Sequence, residues 1–256
     1  MQSQEAVVPV SRVRIFGFLS TGCAIALLAF ALPMDIFGMN FMFTVHMIQH
    51  LLLALAVPPL LLLSIPPTRL HQFLDAHHSM RRGLRGLTIP WVAAALFNAN
   101  LWVWHAPPLL AAMMENPVLH LCINLLYLLT GLLFWWPLLR PLEGRTLSLG
   151  WKLAYLFFSD MPMMLLGAGM TFSGPLYAFS MTNPPMYMVV SAQDQQLGGL
   201  LMWIVGSLFF YIVVASIFFL QWMLQQEKIQ QAKEAKFDDE TQDECISHAF
   251  SQRETR

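Results

Sequence analysis

The sequence predicts an all-α polytopic membrane protein, a bundle of about six transmembrane helices with both termini on the cytoplasmic side. Three observations carry this. The 256-residue chain is 57% hydrophobic and only 11% charged, with a mean hydropathy of +0.56, whereas soluble domains carry roughly 25% charged residues. Its apolar residues fall into continuous runs near the ~20 residues a helix needs to cross ~30 Å of hydrocarbon. Finally, all fourteen Lys and Arg sort to one side of the membrane when six spans are drawn.

The runs are Val13–Leu32, Phe41–Ser64, Ile89–His105, Pro117–Leu139, Trp151–Phe172 and Leu197–Leu224. They are unbroken rather than alternating, and only helices or closed barrels satisfy the backbone in lipid, so helices are expected. The first run comes after Arg12 and Arg14. It is long for a signal-peptide core and no A-x-A-like site succeeds it, which reads as a retained span after a cytoplasmic segment 1–12. Arg69, Arg81, Arg82 and Arg85 separate the second and third runs. Arg140, Arg145 and Lys152 lie between or flank the fourth and fifth, and Lys228, Lys233, Lys236, Arg253 and Arg256 come after the sixth. The positive-inside rule then orients the bundle, 13–224, with both ends in the cytoplasm. The apolar loop Pro175–Val190 reads as a re-entrant or interfacial piece. Residues 225–256 turn polar and charged, a tail without a core of its own. His248 and Cys245 lie there.

Composition also excludes functions. Cys23, Cys122 and Cys245 are far apart with no C-x-x-C, so neither a disulfide framework nor a thiolate zinc site is indicated. There is no internal repeat, no glycine-rich phosphate loop and no nucleic-acid footprint. Membrane lipid is the surrounding medium, and the formal charge of −1 says nothing about partners.

Four of the eight histidines meet at one membrane level under this topology. His46 and His50 lie in the outer half of the second span, His105 ends the third and His120 starts the fourth. His71, His77 and His78 sit instead in the arginine-bearing loop, where a solvated or headgroup role is the default. Residues i and i+4 are one turn apart on one helix face, so Met42, His46 and His50 form a line, and two imidazoles on one stripe can share a metal. The bland alternative is that each histidine bonds a neighbouring helix. Against it, polar groups in lipid are costly and mark function.

Methionine sharpens the choice of ion. Of seventeen, Met1, Met80 and Met223 fall on the cytoplasmic side and Met161 near mid-membrane. Met34, Met39, Met42, Met47, Met113, Met114, Met163, Met164, Met170, Met181, Met186, Met188 and Met202 fall in the outer half or outer loops. Methionine is a flexible core filler, but filler has no reason to prefer one leaflet, and thioethers beside imidazoles favour Cu(I) over zinc or magnesium. Asp160, in WKLAYLFFSDMPMMLLGAGMTF, stands close to mid-membrane with Met164 one turn on and Pro162 between. Its carboxylate is expected to ligate a metal, to hold a ligating histidine in its tautomer, or to be protonated and hydrogen-bonded. Asn98 and His105 share a helix face and extend the polar lining. Asp194 is a further candidate ligand, although Ser191 and Asp194 have the spacing of a capping box, a sufficient structural reason for the carboxylate. Gly198, Gly199 and Gly206 would let that helix approach a neighbour closely.

HMIQH with Pro58–Pro59, WVWHAPP, SDMPMMLLGA and DQQLGGLLMW, in this order and spacing, resemble the CtaG family of cytochrome c oxidase assembly factors found with bacterial haem–copper oxidases, from about Phe41 to Leu224. The resemblance implies a multi-span protein of the bacterial inner membrane with no turnover of its own, which helps an oxidase acquire copper. Its partners would be haem–copper oxidase subunits and a periplasmic copper carrier. His46, His50, His105, Asp160 and Asp194 fall in matching motifs; His120 is added by topology alone. Two other functions fit parts of the pattern. A membrane cytochrome would use paired histidines as haem ligands, but on separate helices rather than stacked on one. An intramembrane zinc hydrolase would use H-x-x-x-H, but Met47 replaces the glutamate of H-E-x-x-H, leaving Asp160 as base.

Overall fold

The computed structural model describes residues 12–31, 42–142, 146–177 and 191–213, and beyond these 215–216, 219–220, 222–223, 225–227 and 229–231. The segment before Arg12, most of Pro175–Val190, the tail past Gln231, and Met34, Met39, Met181, Met186 and Met188 lie outside the described residues. Helices make the fold, and no strand occurs among the described residues. They are α1 Arg12–Ala31, α2 Met42–Leu51, α3 Val57–Ser64, α4 Pro67–Ala76, α5 His78–Leu87, α6 Pro90–Trp104, α7 Pro107–Glu115, α8 Pro117–Leu139, α9 Leu149–Phe172 and α10 Ala192–Leu200. Two π-helical turns, Leu52–Ala56 and Leu201–Val205, interrupt the second and last long runs. The chain forms two compact units, Met1–Phe210 and Tyr211–Arg256. In the second, the described residues to Gln231 are helical, and Phe219 stacks on Trp222.

Among the described residues, four helical stretches are long and apolar enough to cross a membrane: Phe43–Ser64, Pro117–Leu139, Leu149–Phe172 and Ala192–Val213. A fifth is added if α5 and α6, bent by 75° at their break, form one span. Six were expected. The third expected span is cut short by proline: Pro90 opens α6, and Pro107 disfavours helix at the residue before it, leaving 15 residues, about 22 Å at 1.5 Å per residue. In the first, the apolar stretch covers only Ile15–Phe30 of α1.

The bundle exposes apolar side chains, as lipid requires, and buries a set of polar ones within a mostly apolar core. Leu125, Leu129, Phe158, Leu165 and Leu208 are exposed, while His46, His50, Asn100, His105, Asn124, Asp160, Asp194, Gln195 and Ser207 are buried. One floor of the interior is aromatic: Phe134 stacks on Phe97 and Tyr155, and Trp135 on Phe210. The helices close where side chains vanish. A Cβ on Gly199 would lie 2.8 Å from the Gly167 carbonyl oxygen, and one on Gly167 would lie 2.9 Å from that of Gly199, so α9 and α10 touch backbone to backbone. At the π-turn after α2, the Trp135 indole donates to the Ala54 carbonyl at 3.3 Å, which supplies a partner where the regular ladder is disturbed.

The far end of the same span is tied by a cation. Arg140, just past α8, donates to the carbonyls of Leu62, Leu63 and Ile65 at 2.9, 3.2 and 2.8 Å, satisfying the orphan acceptors of α3. Partial burial pulls its guanidinium down from the usual arginine range. His46 and His50 therefore lie at one end of the long second span and Arg140 at the other.

Candidate metal-handling site

Four histidines from three elements converge. His46 and His50, one turn apart on α2, have ring centroids 3.9 Å apart. His120, in the first turn of α8, places Nε2 3.2 Å from His46 Nδ1. His105 caps the C-terminus of α6 with its ring centroid 6.0 Å from that of His50. Each position has a local cause. Asn116 caps α8 by accepting from the Val118 and Leu119 amides, which presents His120 one turn into the helix. The proline pair after Ala106 ends α6 and leaves His105 as its C-cap.

Their nitrogens are poorly satisfied. His46 Nε2 and both ring nitrogens of His50 are buried and make no geometrically well-formed hydrogen bond, and the Asn124 side chain is the polar group that interacts with His50. Tyr127 covers the face of the His50 ring at 4.0 Å. An unpartnered buried polar group costs about 1–3 kcal/mol, so packing alone does not account for two such imidazoles. His105 is anchored differently. Its Nδ1 lies 2.7 Å from the Leu101 carbonyl and its Nε2 3.4 Å from the Met47 sulfur.

The four sequence motifs meet around this cluster, and the last one builds it. The Asp194 carboxylate accepts from the Phe43 and Thr44 amides at 2.9 and 3.0 Å and from the Thr44 hydroxyl at 2.6 Å. A carboxylate from α10 thus caps α2, where the helix dipole favours it, and fixes the helix that carries His46 and His50. The Ser191 hydroxyl accepts from the Asp194 amide at 3.1 Å, so the expected cap is present, while the carboxylate serves the neighbouring helix. Next to it, the Gln195 amide accepts from Leu176 and Tyr177 and donates to the carbonyls of Met170 and Gly174. That holds the chain after α9 so that the Tyr177 hydroxyl donates to the His105 carbonyl at 2.6 Å. Burial pushes the Tyr177 phenol up to about 12, which keeps it a donor. An Asp194→Asn variant is expected to lose about 1–3 kcal/mol, because its NH₂ would face backbone donors. Thermal unfolding of the detergent-solubilised protein measures this; an unchanged midpoint would remove the capping role.

Asp160 is buried on α9 and accepts from the Ser207 hydroxyl at 3.1 Å, its second oxygen having no partner. No histidine among the described residues hydrogen-bonds it. Asn98 joins α6 to α9 by donating to the Ser159 carbonyl at 3.2 Å. Met164 is half-buried next to the buried Met163. Met42 opens α2; its side chain lies outside the described residues. Among the described residues, no three His, Cys, Asp or Glu side chains are placed to hold one metal ion together. Tyr127 is a neighbour that sequence reasoning did not name, and Met47 is one it named without placing it against His105. The spacing of His46 and His50 points to one stripe, whereas Met47 sits next to His46 and reaches His105 across the interface.

Fold and site together define a helical membrane protein with a buried cluster of imidazoles and thioethers at one end of its bundle. The chain belongs to the cytochrome c oxidase caa3 assembly factor family (Caa3_CtaG), whose sequence model matches residues 2–225. No curated protein and no solved structure matches the chain. As an assembly factor, it acts on cytochrome c oxidase.

Proposed function

We propose that this protein binds Cu(I) as cargo at the outer side of the bacterial inner membrane and passes it to a haem–copper oxidase subunit during maturation, with no catalytic turnover of its own. The observation that carries this reading is the convergence of four histidines from three elements, with His46 Nε2 and both ring nitrogens of His50 buried and making no hydrogen bond. A cluster left unsatisfied by the protein is poised for a visiting ligand. The sorting of Lys and Arg away from this end supports an outer placement by the positive-inside rule. A periplasmic copper carrier would then supply the ion, and the lipid-facing leucines of the bundle suit it to docking beside an oxidase subunit.

Haem is disfavoured because His50 and His105 border a cavity of only about 10 Å³, enough for an ion or one water and not for a macrocycle. A hydrolase is disfavoured because Met47, where H-E-x-x-H has its base, is turned toward His105. Deleting the protein is expected to give oxidase polypeptides that reach the membrane with less copper and little activity, partly restored by excess external copper through mass action. Metal analysis of the purified oxidase measures this. Normal copper content and activity in the deletion strain would refute the proposal.

A further inference from the structure

The cavity of about 10 Å³ lies deeper than the His46–His120 pair and is lined by His50, His105, Met47, Met163 and Met202 among apolar side chains. We propose that it is an internal site for a soft monovalent cation, Cu(I) or Ag(I), held by two imidazoles and by thioethers from three helical segments. The inference rests on the copper-handling reading and specifies the donor set, the class of cation and the depth at which it is held.

Chemistry favours a cation over water. The Leu101 carbonyl can only accept, so at 2.7 Å it takes the proton of His105 Nδ1. In the neutral ring, Nε2 then presents a lone pair, and 3.4 Å away it meets the Met47 sulfur, also a lone-pair donor. No proton lies between them, and a cation accepting from both resolves the opposition. His50 adds a buried ring whose nitrogens make no geometrically well-formed hydrogen bond, with the Asn124 amide beside it. The two imidazoles give a buried water no more than its minimum of polar partners, whereas the thioethers, weak acceptors for water, are good donors to a soft cation. Three thioethers favour Cu(I) over zinc or magnesium.

The backbone is shaped to deliver these sulfurs. A Cβ on Gly206 would come 2.7 Å from the Met163 methyl carbon, so glycine there leaves the room Met163 occupies. Met202 lies in the second π-turn, while Ala54 and Leu55 of the first also border the cavity; such turns recur at functional sites. Access runs along the imidazoles. The half-buried His120 contacts His46, and His46 packs against His50. An ion exchanging one ligand at a time crosses this distance without rehydration.

The test is copper K-edge X-ray absorption on the full-length protein in lipid nanodiscs, loaded anaerobically with Cu(I). The expected first shell contains both nitrogen and sulfur. In a Met163→Leu/Met202→Leu variant, which conserves volume, the sulfur contribution should fall and affinity drop about tenfold or more; Ag(I), but not Zn(II), should compete in the wild type. A nitrogen-only shell in the wild type, an unchanged sulfur signal in the double variant, or equal competition by Zn(II) would overturn the inner site while leaving copper binding by the histidines intact. Absence of any Cu(I) uptake would overturn both readings. The wild-type spectrum decides even if the variant does not fold.

Discussion

Cu(I) binding is expected to disappear from a His46→Ala/His50→Ala double variant that still inserts into the membrane. The span from Phe43 to Ser64 remains apolar without these two rings, so insertion has no reason to fail. Removing even an outer partner of a metal ligand typically costs 10–100-fold in affinity, so losing two imidazoles should cost on the order of a hundredfold or more. Stability is expected to move far less. Each truncation leaves a cavity, but it also removes ring nitrogens that are buried without partners, and the two effects oppose each other. Equilibrium competition with a Cu(I) chelator measures affinity, and thermal unfolding measures stability. An unchanged copper stoichiometry would sink the assignment. A large loss of stability accompanied by retained affinity would make the histidines structural.

The largest structural effect is expected at Gly199. Its missing Cβ would sit 2.7 Å from the Thr171 hydroxyl, 2.8 Å from the Gly167 carbonyl and 2.9 Å from the Thr171 amide. Two of these three neighbours are backbone atoms of α9, which cannot step aside as a flexible side chain can. Gly199→Val should therefore force α9 and α10 apart and cost at least the ~1–3 kcal/mol typical of overpacking. Separation would also disturb Asp194 and Gln195 on α10, and with them the capping of α2 and the anchoring of Tyr177. Poor accumulation or a lowered unfolding midpoint is expected, together with lost copper uptake. By contrast, Gly169→Ala on the same α9 meets nothing within 4 Å and should behave as wild type. Equal behaviour of the two variants would exclude the close contact as the cause.

The motifs were legible as sequence, but their division of labour was not. In DQQLGGLLMW the carboxylate was a candidate metal ligand, yet it caps α2, the glutamine beside it fastens the chain after α9, and the second glycine sets the contact with α9. Only Met202 of this motif borders the cavity of the histidines. Asp160 reads from sequence as a ligand, as a support for a histidine, or as a hydrogen-bonded carboxyl, and its hydrogen-bonded partner is Ser207, 47 residues away on the last long run. Spacing within one helix cannot reveal such a partner, because the contact depends on how two helices are rotated against each other.

The apolar spans, the helical class and the clustering of imidazoles at one end were determined by the sequence alone. These come from composition and from the length of apolar runs, which any chain in lipid must obey. Only the tertiary structure decided which of the many methionines meet those imidazoles. Stripe arguments assume an unbroken α-helix of 3.6 residues per turn. Here π-turns at Leu52–Ala56 and Leu201–Val205 widen the helix and rotate the residues beyond them, and glycine contacts set the distance between α9 and α10. Met202 reaches the cavity from within the second π-turn and Met163 from α9, while Met164, the next residue along α9, stays outside its lining.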